Sequence, residues 1–419
     1  MEKIKTSTPA FSRYQVFMIV ILTLLQFSIV LDFMVLSPLG AQLMLELNIT
    51  PRQFGWVVSA YAFSAGISGL LAAGFSDKFD RKKLLMFFYS GFIVGTFFCG
   101  IAPDYQTLLL ARIITGLFGG VIGAISFAII TDIFIIQQRG RVMGFVQMAF
   151  ASSQVLGIPL GLYLANLWGW HSPFLMIVGM SIIIGVAIVW HMKPIDAHLS
   201  LIAPVSPIRH MVNTLSRTHY IKGFGAIVLL ATGGFMLMPF ASAFTVYNLG
   251  ISLDHLPMIY MVTGLCAMIG GPLIGKLSDQ VGKYKVFVVG SLVLMLFLVW
   301  YCNLGVTPLW IVIMANVIMF TAVTARMISA SSLLTAVPDP ADRGAYMSIQ
   351  SAIQQISGGF ASALAGLIVV QTSSGILLNY DLLGYVVVAA TSITIIMMNI
   401  INKSINQQTA SLSLKPAEV

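Results

Sequence analysis

Charged residues are scarce in this chain. Asp, Glu, Lys and Arg together make up 9% of the 419 residues, whereas soluble domains carry about a quarter. Hydrophobic residues make up 58%. Because so few charges cannot cover a water-exposed surface, the composition excludes an ordinary soluble protein and indicates a chain that crosses a membrane many times.

Residues that hold metals or cofactors are also few and scattered. The three cysteines, Cys99, Cys266 and Cys302, lie far apart in apolar runs, without a CxxC or Cys/His spacing. The six histidines fall at the ends of apolar runs and in one polar connector, so they offer no facing haem pair. A nucleophile elbow, a P-loop and an HExxH sequence are all missing. We therefore expect no metal, no cofactor and no enzymatic activity.

The apolar runs have the length of membrane-spanning helices, which need about 20 residues each. The net charge is +8, but the basic residues occur in short clusters between these runs, which does not indicate a nucleic-acid partner. Twelve spans are predicted, near 16–40, 54–75, 84–102, 107–131, 142–165, 172–192, 221–248, 257–275, 286–304, 308–335, 345–371 and 382–402.

The basic residues also predict the orientation. With the N-terminus in the cytoplasm, all but three of the 22 lysines and arginines lie on the cytoplasmic side, the exceptions being Arg52, Arg112 and Arg326. The start is basic and then apolar, like a signal peptide, but the apolar run is too long and contains Asp32, which indicates an uncleaved first span. We expect a multi-pass protein of the inner (cytoplasmic) membrane, with both termini in the cytoplasm.

An internal repeat divides the chain into two halves. AGFSDKFDRKK after span 2 is echoed by GKLSDQVGKYK after span 8, and QQRGRVMG before span 5 by ADRGAYMS before span 11, at offsets of 202 and 204 residues. A polar connector with several prolines separates six spans from six. The repeat predicts two similar six-helix bundles. The expected units are an N-terminal bundle at 1–192, a cytoplasmic linker at 193–220, a C-terminal bundle at 221–402 and a cytoplasmic tail at 403–419.

The loop after span 2 resembles the signature of the major facilitator superfamily, Gly-x-Leu-x-Asp-x-x-Gly-Arg-Arg/Lys. Asp77, Arg81 and Lys82 match it, while Ala73 and Asp80 replace its two glycines. The copy after span 8 matches through Gly275, Leu277, Asp279, Gly282 and Lys283. The resemblance implies an all-α membrane protein with twelve transmembrane helices in two pseudo-symmetric bundles, acting as a monomer.

The resemblance also implies a gating latch on the cytoplasmic side. In the family, the aspartate of the first loop sits near the positive end of span 11 and helps to hold that side shut. The corresponding latch residues here are Asp77, Arg81, Lys82, Asp279 and Lys283.

Spans 4 and 5 resemble the drug and sugar exporter branch of the superfamily, whose members are proton antiporters. Arg112-Ile113-Ile114-Thr115-Gly116 is similar to the branch's Arg-x-x-Gln-Gly, with Thr115 in place of glutamine. Gly157-Ile158-Pro159-Leu160-Gly161 is similar to the glycine- and proline-rich antiporter element, with one extra residue between Gly157 and Pro159. Small residues at helical spacing predict close helix packing at Gly116/Gly120, Gly157/Gly161 and Gly271/Gly275.

Asp32 is the only acidic residue deep within a span. A carboxylate in a bilayer is costly unless it is paired, hydrated or protonated. Burial of a carboxyl group raises its pKa and a nearby cation lowers it, so a changing environment can load and release a proton. Arg112 is the expected partner, because spans 1 and 4 both line the cavity in the family fold. The alternative is a permanent structural ion pair.

The predicted substrate cavity contains Asp32, Arg326, Gln350, Gln354 and Tyr61. Arg326 has no acid in the spans of its own half, so it binds an acidic or zwitterionic substrate or else snorkels to water or backbone carbonyls. Gln350 and Gln354 form a polar stripe on span 11, whose alternative role is hydrogen bonding between helices.

These features lead to two competing functions. The first is a secondary active transporter that exports small organic molecules, amphipathic or acidic and zwitterionic, by proton antiport with alternating access. The second is a sugar or metabolite facilitator or proton symporter, in which Asp32 is structural or drives uptake. The partners implied are a small-molecule substrate, protons and the lipid bilayer.

Overall fold

The computed structural model describes residues 11–72, 75–196, 199, 213–339 and 342–413. Twelve long helices account for most of this chain. They are α1 (Arg13–Val35), α2 (Pro51–Ala72), α3 (Arg81–Gly100), α4 (Tyr105–Ile133), α5 (Ile136–Ser152, then a π-helical turn Ser153–Gly157, then Ile158–Trp168), α6 (Ser172–His191), α7 (Thr218–Phe235), α8 (Leu256–Val281), α9 (Lys283–Cys302), α10 (Leu309–Leu334), α11 (Arg343–Ile368) and α12 (Tyr380–Ser413).

Each predicted span corresponds to one of these helices. In the described residues, eleven helices are long and apolar enough to cross a membrane. The remaining one, α11, is more polar because it carries three glutamines, Gln350, Gln354 and Gln355. The linker predicted at 193–220 lies largely outside the described residues, as does the end of the predicted tail.

The helices pack as two bundles of similar internal architecture. α3 packs on α4 as α9 packs on α10, and α2 packs on α4 as α8 packs on α10. α1 contacts α5 and α6, and α7 contacts α11 and α12 in the same way. The internal repeat of the sequence is therefore a structural repeat of six helices.

Spans 1 and 7 are each interrupted at a proline, which the apolar pattern does not reveal. α1 ends at Val35, and the chain resumes beyond Pro38 as a short helix, Gly40–Glu46. α7 ends at Phe235 and is followed by a 3-10 turn that contains Pro239. Proline lacks the backbone N–H, and its ring collides with the carbonyl four residues earlier, so it breaks a helix.

The interrupted segments join the two bundles at the end of the molecule opposite the start of α1, here called the far end. Ser242 Oγ donates to the Ser37 carbonyl at 2.9 Å, and the Ala41 N–H donates back to Ser242 Oγ at 3.3 Å. Tyr247 Oη donates to the Ala41 carbonyl at 3.1 Å. These bonds connect the N-terminal bundle directly to the C-terminal one.

α2 and α11 form a second contact between the bundles. Ser59 Oγ donates to the Gly359 carbonyl at 2.8 Å. A Cβ on Gly55 would lie 2.9 Å from the Ser362 carbonyl and 3.2 Å from Gly366 Cα, so the two backbones nearly touch. This packing against protein explains why a helix as polar as α11 is stable in the bilayer.

At the other end, here called the terminal end, α5 and α8 separate. Near the middle of the molecule they are close, because a Cβ on Gly264 of α8 would lie 3.0 Å from the Gln154 carbonyl of α5. Towards the terminal end, a Cβ would meet no heavy atom of the described residues within 4 Å at any of four glycines, Gly140, Gly144, Gly271 and Gly275. The close packing predicted for Gly271/Gly275 is therefore wrong for this conformation, which is joined at the far end and open along α5 and α8 at the terminal end.

A small hairpin in the loop between α11 and α12 was not foreseen from the sequence. β1 (Val370–Gln371) pairs antiparallel with β2 (Leu377–Leu378). Asn248 fixes it, accepting from the Leu377 N–H and donating to the Leu377 carbonyl, both at 2.9 Å. The hairpin thus reinforces the far end of the C-terminal bundle.

Candidate functional site

An ion pair lies in the core of the N-terminal bundle. Arg112 Nη1 on α4 donates to Asp32 Oδ2 on α1 at 2.8 Å, and both residues are 0% exposed. Thr96 Oγ1 on α3 donates to Asp32 Oδ1 at 3.2 Å. Each carboxylate oxygen therefore has a donor, which is what a buried carboxylate needs.

Gly95 lets α3 and α4 approach each other closely beside this site. A Cβ on Gly95 would lie 2.6 Å from Thr115 Oγ1. Thr115, which replaces the glutamine expected from the exporter signature, donates to the Ala111 carbonyl at 2.7 Å and lies 3.8 Å from Cys99 Sγ. Thr115 therefore packs against α3 at Gly95 and Cys99 and has no hydrogen bond with Asp32.

Tyr61 of α2 covers the other side of the arginine. The Arg112 guanidinium carbon lies 4.4 Å from the centroid of the Tyr61 ring, a cation–π contact. Phe33, next to Asp32, packs on Tyr61 at 5.3 Å and on Phe235 of α7 at 5.7 Å between ring centroids. Tyr61 is 2% exposed, so it packs against the ion pair, and an aromatic chain connects that pair to the C-terminal bundle.

The C-terminal bundle contains the second buried arginine of the predicted site. Arg326 on α10 is 5% exposed, and its Nε and Nη2 atoms have no hydrogen-bond partner in the described part of the chain. Its guanidinium carbon lies 5.8 Å from the centroid of the Phe287 ring on α9. Within the described residues no acidic side chain pairs with it.

Gln350 and Gln354 lie half-buried on α11, and none of the described residues bonds Gln350 Oε1. In the described part of the chain, no hydrogen bond or ion pair joins Arg326 or these glutamines to the Asp32 group. The structure thus brings Asp32, Arg112 and Tyr61 together, adds Thr96, and leaves Arg326, Gln350 and Gln354 as separate polar groups. Thr96 could not be singled out, since a threonine in an apolar helix usually bonds its own backbone.

Comparison with known proteins identifies the family. A model of the Major Facilitator Superfamily matches residues 22–216 and 223–407, which is most of the chain. The chain belongs to the Major Facilitator Superfamily. It is therefore a multi-pass membrane transporter, as the signature loops predict.

Individual relatives of this superfamily resemble the chain over part of its length. The uncharacterized MFS-type transporter YceJ of Bacillus subtilis is 30% identical over 63% of this chain and 67% of YceJ. The multidrug resistance protein fnx1 of Schizosaccharomyces pombe is 31% identical over 42% of this chain, but the match spans only 31% of fnx1. The crystal structure of a D-xylose-proton symporter superposes with a TM-score of 0.73 at 17% identity, covering 90% of this chain and 97% of that one, which shows the shared fold.

The superfamily's signature loop lies between α2 and α3. Arg81 Nε donates to Asp132 Oδ2 of α4 at 3.1 Å, and Lys82 Nζ donates to the carbonyls of Val189 and Met192 at the end of α6. Both contacts stay within the N-terminal bundle. The latch across to α11 stays a prediction, because the side chain of Asp77 is outside the described set.

Asp80 stands where the superfamily signature has glycine, and it has two contacts of its own. Its Oδ1 accepts from the Lys83 N–H at 2.9 Å and caps α3, while Oδ2 accepts from the Ile195 N–H at 3.2 Å. The Ile195 carbonyl accepts from the Arg81 N–H at 3.0 Å. The loop is thereby fastened to the segment that follows α6. In the second copy, Asp279 is exposed at the end of α8 and Lys283 is half-buried at the start of α9.

The antiporter-like element of α5 lies between the two bundles. The Ile158 N–H bonds the Ser153 carbonyl, which closes a π-helical turn just before Pro159; such turns occur often at functional sites. A Cβ on Gly157 would lie 2.6 Å from the Leu31 side chain, and one on Gly161 would lie 3.0 Å from the Val35 side chain. Because the other side of this turn meets Gly264 of α8, the element connects the Asp32 helix to the C-terminal bundle.

A charged cluster at the terminal end of the C-terminal bundle was also missed by sequence reasoning. Arg217, just before α7, bonds Asp342 Oδ2 at 2.6 Å and Asp339 Oδ2 at 3.2 Å. Tyr220 Oη donates to Asp342 at 2.8 Å. The Asp342 carboxylate raises the pKa of Arg217. The cluster fastens the loop between α10 and α11 to the start of α7.

Proposed function

We propose that this transporter exports small organic molecules, amphipathic or acidic and zwitterionic, across the inner membrane by proton antiport. The observation that carries the proposal is the Asp32–Arg112 pair, which is fully buried in a membrane bundle. Ionisable groups at such positions usually belong to proton or substrate pathways.

The pair can act as a proton carrier because Arg112 stays charged while Asp32 can titrate. When Asp32 takes up a proton it loses its negative charge, and the attraction to Arg112 is lost with it. When the pair re-forms, the proton leaves. In the described conformation the pair is formed, which corresponds to the state that has released its proton.

Alternating access follows from the same conformation. With the predicted orientation, the terminal end faces the cytoplasm, so a transporter open at that end receives substrate from inside the cell. Proton release there and proton uptake from outside, after the bundles have rocked, give net export against proton entry. The aromatic contacts Tyr61–Phe33–Phe235 offer a route by which motion of α7 reaches Arg112.

The similarity to a multidrug resistance protein agrees with export but covers less than a third of that relative. The alternative function is uptake or facilitated diffusion of a sugar or metabolite, with Asp32 as a structural partner of Arg112. The complete hydrogen bonding of Asp32 favours that alternative, because a satisfied pair can remain closed.

The direction of proton flux separates the two. The purified protein is reconstituted into proteoliposomes with an internal pH dye, and compounds selected by thermal-shift screening are added without an imposed gradient. An antiporter moves protons opposite to the compound. Glu46→Gln removes an exposed carboxylate in the bundle that contains Asp32. This variant is the control and should move protons as the wild type does. Proton movement in the same direction as the compound, or none at all, contradicts the proposal.

A further inference from the structure

A glycine occupies the position in α7 that corresponds to Asp32 in α1. Pro38 and Pro239, which break the two equivalent helices, are 201 residues apart, and this offset aligns Asp32 with Gly233. The offset of 202 between the signature loops aligns Asp32 with Gly234 instead. By either alignment, the C-terminal bundle lacks the carboxylate that the N-terminal bundle has.

Arg326, the unpaired arginine of the C-terminal bundle, lies next to Gly233. A Cβ on Gly233 would lie 4.0 Å from Arg326 Nη2 and 3.9 Å from Thr391 Oγ1. Neither of those two atoms has a hydrogen-bond partner among the residues that the structure describes, and Arg326 and Thr391 are 5% and 1% exposed. Two buried, unsatisfied polar groups therefore border one small space, on the side of α7 where a carboxylate is missing.

A buried guanidinium without a counter-charge is costly in a membrane bundle. The N-terminal bundle avoids that cost, because Asp32 neutralises Arg112. Arg326 contacts a ring face at Phe287, but a ring face neutralises no charge. The donor set that remains, a planar N–H fork beside a hydroxyl, matches the two oxygens of a carboxylate.

We propose that Arg326, Thr391 and the space at Gly233 form a binding subsite for a carboxylate on the transported molecule. The ligand supplies the negative charge that is missing beside Arg326, while Asp32 in the other bundle carries the proton. This inference rests on the proposed transport function and narrows its substrate class to organic acids and zwitterions.

A first test builds the missing carboxylate into the protein. In Gly233→Asp, the new Cβ meets its neighbours at ordinary contact distances, and the carboxylate can pair with Arg326. We expect the purified protein to melt at a higher temperature than the neutral control Gly233→Asn. The difference between them should vanish when both are combined with Arg326→Gln. A Gly233→Asp protein no more stable than Gly233→Asn, or a gain that persists without Arg326, overturns the assignment.

A second test measures ligand binding to the detergent-purified protein. The probes are acetate, benzoate and indole-3-acetate, each compared with its uncharged amide. We expect at least one acid to bind about tenfold or more tightly than its amide, since tenfold corresponds to roughly 1.4 kcal/mol and hydrogen bonds to charged groups contribute about that or more.

Variants of the protein then show where the acid binds. Arg326→Gln and Gly233→Asp should lose the preference for the acid. Gly234→Asp should keep it, because a Cβ there lies more than 4 Å from every described atom of the other helices, Arg326 Nη2 included, and so places its charge elsewhere. Binding of no acid, equal binding of acid and amide, or unchanged binding by Gly233→Asp contradicts the subsite.

The test of the carboxylate subsite can be distinguished from the test of proton antiport. Asp32→Asn should retain the binding of acids, because Asp32 belongs to the other bundle. If proton antiport fails in vesicles while this binding persists, the subsite stands and the antiport proposal falls. If antiport is found but the acids and amides bind alike, the subsite falls alone.

Discussion

At the scale of single residues, the Asp32–Arg112 pair dominates the described site. A buried ion pair offsets the desolvation of two charges only when its geometry is good and its remaining polar atoms are bonded. Arg112 and Thr96 bond both oxygens of Asp32. Tyr61 covers the face of the Arg112 guanidinium, but Arg112 Nε has no hydrogen-bond partner among the described residues. The pair therefore depends on the attraction between its two charges, and it loses that stabilisation once Asp32 is protonated.

Removing Arg112 alone should destabilise the protein more than removing both charges of the pair. Arg112→Gln leaves Asp32 buried without a cation, and breaking a buried pair in this way costs about 3–5 kcal/mol. Asp32→Asn combined with Arg112→Gln should recover much of that loss. Thermal unfolding of the purified variants in detergent measures both. Strictly additive effects of the two substitutions would show that the residues do not stabilise each other.

The sequence predicts Asp32 and Arg112 because charges are so rare in its apolar runs that each one stands out. It places Tyr61 in the cavity, whereas the structure packs that ring on Arg112. Thr96 and Thr391 carry no such signal, because hydroxyl side chains are common in membrane helices and usually bond the backbone. The repeat offsets align Asp32 with a glycine, but only the structure shows that Gly233 lies close to Arg326 and Thr391.

At the scale of helices, the pattern of apolar residues locates each span but not its interruptions. Hydropathy is blind to Pro38 and Pro239, since both lie within apolar runs, although their missing N–H groups end α1 and α7. The π-helical turn before Pro159 is hidden for the same reason. These three irregular segments lie where the bundles meet, so the features hardest to predict are the ones that position the interface.

The open glycines of α5 and α8 predict which helices approach when the terminal end closes. Gly144→Leu and Gly271→Leu should fold normally, because a Cβ at either site meets none of the described atoms within 4 Å. They should nevertheless abolish transport, since a leucine keeps the two helices apart. Vesicle transport assays and melting temperatures measure the two effects.

Gly116→Leu provides the matched contrast. A Cβ there would lie 2.5 Å from the Tyr61 carbonyl, so this variant should lose stability outright. Full transport activity in Gly144→Leu and Gly271→Leu would mean that these faces never come together.

At the scale of the whole molecule, the repeat and the signature loops predict the fold. Both are properties of a single bundle or of two equivalent loops, so they do not depend on how the bundles are placed against each other. Contacts between bundles depend on conformation and leave no periodic signal. The separation of α5 from α8 at Gly271 and Gly275 is the clearest case, since their spacing predicts packing that this conformation does not make.

The orientation in the membrane can be tested by labelling. Native Cys266 is replaced by serine, while Cys99 and Cys302 are buried. A cysteine at Ser374, exposed in the hairpin loop, should react with an impermeant maleimide added to intact cells. A cysteine at Asp196, exposed after α6, should react only after the membrane is opened. The reverse pattern would place the termini outside and make the described conformation outward-open.

The central claim is that Asp32 carries the transported proton, and Asp32→Asn tests it most directly because it keeps the size of the side chain and removes its titration. In weakly buffered solution at a pH where part of the wild-type protein holds a protonated Asp32, adding a transported compound should favour the paired state and release protons. The Asp32→Asn variant should bind the compound, release none, and show no transport driven by a pH gradient in proteoliposomes. Gradient-driven transport by Asp32→Asn at close to the wild-type rate would contradict the account and leave Asp32 as a structural partner of Arg112.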